Sequence, residues 1–129
     1  MPELERKCGS ATLDVAACGW HAVRMTPEPC MADSRLAELC RRLPERRLST
    51  EASELEHYGR DWTRRWTPAP LAIALPASVE EVQAIVRWAN EQRVAVVPSG
   101  GRTGLSGGAV AANGELVLSL ERMNRVLGF

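Results

Sequence analysis

Val96-Val97-Pro98-Ser99-Gly100-Gly101-Arg102-Thr103-Gly104-Leu105-Ser106-Gly107-Gly108-Ala109 is the stretch on which the reading of this chain turns. An apolar run breaks there into dense glycine interleaved with small hydroxyl residues. Glycine tolerates positive φ and close backbone approach, so several consecutive N–H groups can face one point. Such a concavity suits an anionic oxygen cluster, most often a phosphate or pyrophosphate. The alternative reading is a loose surface loop.

Outward from the loop, the flanking sequence is regular. Leu71-Ala72-Ile73-Ala74-Leu75 reads as a short strand between Pro70 and Pro76. Ser78-Val79-Glu80-Glu81 forms a capping box, in which the Ser78 hydroxyl accepts from the Glu81 N–H and the Glu81 carboxylate returns to Ser78. The helix it opens sets Val79, Val82, Ile85, Val86 and Ala89 along one face and ends near Asn90 to Arg93. Val94-Ala95-Val96-Val97 reads as a buried parallel strand. After the loop, Asn113-Gly114 turns the chain into a strand over 115–120. The fold class expected is α+β, built on an α/β-type strand-helix-strand-strand unit and preceded by short helices. The glycine loop lies at the carboxyl end of a strand, where open α/β sheets usually hold ligands.

Upstream, the pattern is helical from Asp33-Ser34, with Leu36, Leu39, Cys40 and Leu43 on one face and Pro44 as the stop. A second helix is expected from Glu51 to Tyr58, closed by Gly59. The segment Tyr58-Gly59-Arg60-Asp61-Trp62-Thr63-Arg64-Arg65-Trp66 concentrates aromatics in a chain poor in them. Trp62 and Trp66 are read as packing anchors rather than ligand contacts, because indole area pins extended segments. His57 and Asp61 are close in sequence, but no nucleophile on a strand-to-helix elbow completes a triad. Residues 1–30 show no sustained period and read as a poorly ordered extension, with 31–66 a helical lead-in; Met31 is a candidate start. His21 has no partner that suggests a role.

Lys and Arg, 16 together, balance Asp and Glu, also 16, so no electrostatic footprint for nucleic acid is present. Cys8, Cys18, Cys30 and Cys40 show no metal-ligand spacing and are expected as free thiols in a reducing cytoplasm. No metal site and no transmembrane segment are expected.

The loop departs from the common phosphate motifs. Lys7 is the sole lysine, so the residue that a Walker loop sends to the terminal phosphates is absent. A Rossmann fingerprint needs a third-position glycine, where Arg102 stands, and an opening helix, where a strand follows. What remains is a strand-to-strand loop with glycines at 101, 104 and 107, hydroxyls on Thr103 and Ser106, and a fixed charge on Arg102. That charge is open to two readings, as direct partner of an anion or as a solvent-facing group.

The run from Pro70 through Leu120, with its Ser-Val-Glu-Glu-Val-Gln helix, its Pro98 to Gly108 loop and the following Leu118-Ser119-Leu120-Glu121-Arg122-Met123-Asn124, resembles the start of the PCMH-type FAD-binding domain of the vanillyl-alcohol oxidase and p-cresol methylhydroxylase superfamily. The branch it resembles most acts on D-lactate, glycolate and D-2-hydroxyglutarate. Tyr58 to Trp62 and Pro68-Ala69-Pro70 also resemble that branch's lead-in, so the likeness covers roughly 35–129. It implies that residues 67–129 are the first part of an FAD-binding domain. It also implies that Gly100, Gly101, Arg102, Thr103, Gly104, Gly108 and Ala109 contact FAD, chiefly its pyrophosphate, with Ser99 and Gly107 as second choices. Related proteins that attach flavin covalently through this loop often have histidine after the Gly-Gly pair; Arg102 in that place implies noncovalent FAD. The implied function is a flavin-dependent dehydrogenase or oxidase taking a hydride from a small D-2-hydroxy acid and passing electrons to an acceptor. Catalytic residues are expected in later sequence, and this fragment alone is expected to be inactive. The alternatives are a module for another phosphorylated ligand and a non-catalytic remnant.

Overall fold

The computed structural model describes residues 33–126 and 128. The expectations for residues 1–30, for His21 and for a start at Met31 lie outside the described residues. Three helices, α1 (Ser34–Arg42), α2 (Ala52–Tyr58) and α3 (Val79–Gln92), accompany four strands: β1 (Leu48–Ser49), β2 (Ala72–Ala74), β3 (Val96–Ser99) and β4 (Leu116–Ser119). The strands form one mixed sheet in the order β1-β2-β4-β3. β1 is antiparallel to β2, while β4 runs parallel to both β2 and β3.

The period-2 alternation of the two central strands sorts their side chains into two layers. Ala72 and Ala74 of β2 and Leu116 and Leu118 of β4 join Leu36, Leu39, Leu43, Ile85, Trp88 and Ala89 in the larger core, so α1 and α3 cover that face. Ile73 and Val117 point the other way and pack with Ala111, Leu55 and Tyr58. The second face is thus covered by α2 and by the returning arm of the glycine loop.

The expected elements form with instructive offsets. Asp33 caps α1, accepting from the Arg35 N–H, and Ser78 caps α3, accepting from the Glu81 N–H. The returning half of the box differs: Glu81 Oε2 accepts from the Ala77 N–H at 2.8 Å and from Arg47 Nε at 2.9 Å instead of reaching Ser78. That carboxylate therefore ties the start of α3 to the residue before β1, a tertiary bond that outcompetes the local one.

The buried face of α3 is rotated from the expected stripe. Val79 and Val86 are exposed, whereas Trp88 is fully buried beside Ile85 and Ala89. Packing against both α1 and the sheet favours the side of the helix that carries the indole, and Trp88 Nε1 donates to the Arg35 carbonyl at 3.1 Å. The strand expected over 94–97 runs over Val96–Ser99 instead. Arg93 ends α3 in the left-handed conformation, and the Val94 N–H is used by the Ala89 carbonyl. β3 lies at the sheet edge and is only partly buried, which is where a proline without an N–H is tolerated.

Two expectations fail outright. Trp62 and Trp66 are 74% and 60% exposed, so they are not anchors; polar bonds from Asp61, described below, hold that segment instead. Cys40 is disulfide-bonded rather than a free thiol. Spacing could not reveal this, since a disulfide depends on proximity in space; the other cysteines lie outside the described residues. β1 was not expected, being two residues long and without a period.

Trp88→Ala is expected to lower the unfolding free energy by about 3–5 kcal/mol, and urea denaturation followed by circular dichroism checks it. Trp88→Phe, which keeps most of the volume, is expected to lose far less.

Candidate functional site

Because β4 runs parallel to β3, the chain leaving Ser99 must travel back along the sheet before Leu116 can pair. The segment between, from Gly100 to Glu115, contains no helix. Its first half stands over the carboxyl end of β3, and its second half lies across the sheet's second face, where Ala111 is buried.

The first half has the character of a backbone cradle. Gly100, Gly101, Thr103 and Gly104 are exposed, as are Leu105, Ser106 and Gly108. Within the described residues, no hydrogen bond uses the N–H groups from Gly101 to Ser106 as donors. Arg102 adopts the left-handed backbone conformation, φ 54°, a component of the alternation that makes successive N–H groups converge on an anion. A Cβ built at Gly100, Gly104 or Gly108 meets nothing within 4 Å, and these glycines do not have positive φ. The described fold therefore makes no demand for glycine there; the demand fits a ligand that must approach the bare backbone. Gly107 is different, since its φ of +80° itself favours glycine.

Ser99, the last residue of β3, is 1% exposed. Its Oγ is one of two buried hydroxyls without a partner among the described residues, the other being Thr50 Oγ1. A buried hydroxyl normally finds a partner, so Ser99 Oγ is a candidate donor to an oxygen-rich ligand held by the loop. The donor set, made of backbone N–H groups with a hydroxyl and one guanidinium, suits a pyrophosphate. Among the described residues there is no cluster of metal-ligating side chains.

The loop is held by the end of α2 and the turn after it. Arg102 folds back, with its guanidinium 4.7 Å from the Tyr58 ring centroid and its Nη2 2.9 Å from His57 Nε2. Arginine has no acceptor, so this contact requires the His57 lone pair on Nε2. The arginine is thus stacked against α2 at the edge of the loop. Tyr58 donates its hydroxyl to Glu121 Oε2 at 2.6 Å, and that carboxylate raises the Tyr58 pKa above the ordinary tyrosine value.

Two further bonds fix the loop's return. The Ala111 N–H donates to the Gly59 carbonyl at 2.9 Å. Gly59 has no room for a side chain, because a Cβ there would lie 2.7 Å from both the Leu55 carbonyl and Pro68. The Gly107 N–H donates to Asp61 Oδ2 at 3.2 Å. Asp61 is 3% exposed, and its Oδ1 accepts from the Thr63 N–H at 3.0 Å and the Thr63 hydroxyl at 2.7 Å. The Thr63 hydroxyl, followed by the backbone donors, holds this carboxyl below its usual pKa despite burial.

A cavity of about 210 Å³ opens beside the loop, between His57, Arg60, Trp62, Arg64 and Gly101-Arg102. Another, of about 270 Å³, lies between Ser78-Val79 and Arg122-Met123 and is lined by none of the expected site residues. The structure thus brings the residues expected from Ser99 to Ala109 onto one edge of the sheet. It adds His57, Tyr58, Gly59 and Asp61, for which the sequence offers no site role beyond the rejected His57–Asp61 triad and the lead-in resemblance; the signal is the polar and aromatic density of 57–66 itself.

Compared with known proteins, residues 70–129 match the family model described as FAD binding domain. The D-2-hydroxyglutarate dehydrogenase of Xanthomonas citri pv. viticola is 76% identical over 99 residues, covering 77% of this chain and 21% of that protein. Among solved structures, alkyldihydroxyacetonephosphate synthase superposes with a TM-score of 0.68 at 23% identity, over 80% of this chain and 21% of that one. p-Cresol methylhydroxylase superposes with a TM-score of 0.61 at 22% identity, over 73% and 19%. These structural likenesses concern the fold. The chain spans about a fifth of the length of the curated relative it matches.

Gly107→Ala is expected to cost about 1–2 kcal/mol of stability through its left-handed backbone. Gly104→Ala and Gly100→Ala are expected to stay within about 0.5 kcal/mol of the parent. Thermal denaturation of the ligand-free proteins distinguishes the two kinds of glycine.

Proposed function

We propose that this chain, whose residues 70–129 match the FAD binding domain family model, holds the pyrophosphate of FAD in a dehydrogenase that oxidises a D-2-hydroxy acid. D-2-hydroxyglutarate is the first candidate, from the name of the relative at 76% identity; D-lactate and glycolate are the comparison substrates. The observation that carries the reading is the run of unused N–H groups from Gly101 to Ser106, beside glycines whose Cβ positions are open.

In this reading Gly100, Gly101, Thr103 and Gly104 hold one phosphate through backbone N–H groups, with the buried Ser99 hydroxyl beneath. Gly108 and Ala109 approach the other phosphate or the adjoining chain. Gly107 contributes by its turn, since its N–H is engaged by Asp61. Arg102 contributes positive potential from its position against Tyr58. Backbone dipoles fixed before binding cost little reorganisation when they meet an anion. Bound flavin supplies a hydride acceptor for the carbon bearing the substrate hydroxyl. The described residues provide binding and orientation, and the proposal assigns them no catalytic proton transfer.

The flavin is proposed to be noncovalent, because Arg102 lacks the nucleophilic ring nitrogen of a histidine. A separate electron acceptor reoxidises it. No nucleic acid is involved, consistent with the balanced charge. No helix among the described residues is long and apolar enough to cross a membrane. The proposed location is the cytoplasm.

The protein purified from its complete reading frame is expected to show flavin absorption bands and to release the flavin on acid precipitation. Anaerobic D-2-hydroxyglutarate is expected to bleach those bands. Gly104→Val is expected to weaken FAD binding at least tenfold, about 1.4 kcal/mol, by filling the cradle. A protein that takes up no FAD refutes the reading, and one that binds only other phosphorylated ligands supports a general phosphate module. Flavin that stays with the precipitate refutes noncovalent attachment.

A further inference from the structure

We infer that Asp61 is a positioning residue for the cofactor loop, holding the glycine cradle in its binding-competent shape through the Gly107 N–H. The inference rests on the FAD reading above and assigns to Asp61 no contact with the cofactor.

A carboxylate close to a proposed pyrophosphate site is electrostatically unexpected, because like charges repel. Its surroundings account for it. Asp61 is 3% exposed, and its two oxygens are divided between two tasks. Oδ1 is fixed by the Thr63 N–H and hydroxyl at 3.0 and 2.7 Å. Oδ2 accepts from the Gly107 N–H at 3.2 Å. Three donors therefore meet one carboxylate, and charge-assisted bonds of this kind are the stronger class.

Gly107 is where that tether has most leverage. Its φ of +80° marks the turn between the cradle and the returning arm. Its carbonyl accepts from the Val110 N–H at 3.0 Å, and the Ala111 N–H is fixed to Gly59. The turn and the arm are thus pinned at both ends by the chain that follows α2. Among the described residues, the cradle itself, from Gly101 to Ser106, makes no backbone hydrogen bond of its own as donor. Its shape therefore depends on its supports, which are β3 on one side, the Arg102 contact with His57 and Tyr58 in the middle, and the Gly107 turn on the other. A neutral amide at position 61 cannot reproduce the arrangement. Asparagine has one acceptor oxygen and an NH2 group, so either Gly107 or Thr63 would face a donor.

Asp61→Asn, made in the intact protein, is expected to weaken FAD binding about tenfold or more, as loss of a buried bond to a charged group does. Flavin fluorescence titration of the apoprotein measures this. Hydrogen exchange is expected to accelerate at Gly107 and its neighbours while the β4 amides, Leu116 to Ser119, keep their protection. A merely structural role would loosen β4 as well. Unchanged Gly107 exchange, or faster exchange with parental FAD affinity, overturns the inference. If Asp61→Asn does not fold, Thr63→Val takes its place, since it removes the hydroxyl donor to Asp61 Oδ1 and leaves only the Thr63 N–H there; faster Gly107 exchange with several-fold weaker binding is expected, and parental values for both overturn the inference. A parent protein that binds no FAD refutes the functional reading and with it the cofactor role of Asp61, while the exchange data still report whether the tether exists.

Discussion

β4 enters the sheet between β2 and β3 and parallel to both, and this single pairing constraint shapes everything around the site. A four-residue strand such as β3 advances roughly 13 Å, so the chain must recover that distance before β4 can begin. An α-helix is the usual way to return. Here α3 already connects β2 to β3 and covers one face with α1, and the second return is made by a glycine-rich segment on the other face. The outbound half of that segment leaves N–H groups unspent above the sheet, and the inbound half buries Ala111 against Ile73 and Val117. Ligand binding and core formation are two halves of one connection.

A loop with so few internal bonds needs external supports, and the end of α2 provides them. Three contacts from 57–61 reach it: the His57 and Tyr58 contact with Arg102, the Gly59 carbonyl on Ala111, and the Asp61 carboxylate on Gly107. Gly59 itself is crowded by Leu55, Pro68 and Pro70, which leave no room for a side chain there. With Arg102 stacked on Tyr58, the anion affinity proposed for the site comes mainly from oriented backbone groups. Peptide dipoles of this kind carry no side-chain entropy to be lost on binding.

Much of this was legible in the residues, and the failures have physical causes. The Ser78 cap, the strands bracketed by proline and the Asn113-Gly114 turn are local signals, and local signals specify elements well. The glycine loop could be read as joining two strands because its third position is Arg102 and no helix pattern follows. The two-residue β1 carries no period to read. Trp62 and Trp66 invited an argument from buried area, yet the segment is held by Asp61, whose bonds to Thr63 and Gly107 depend on tertiary placement. The face of α3 was offset because Trp88, absent from the valine stripe, is the larger side chain to bury. Cys40 pairs through space, and sequence spacing carries no such distance.

The central claim is that the N–H groups between Gly100 and Gly104 hold the pyrophosphate of FAD, and an experimental structure of the intact protein with FAD bound tests it most directly. The account predicts phosphate oxygens within about 2.7–3.2 Å of those backbone nitrogens, with Asp61 still on the Gly107 N–H. Phosphates bound elsewhere, with the Gly101 to Ser106 N–H groups facing water, would contradict it.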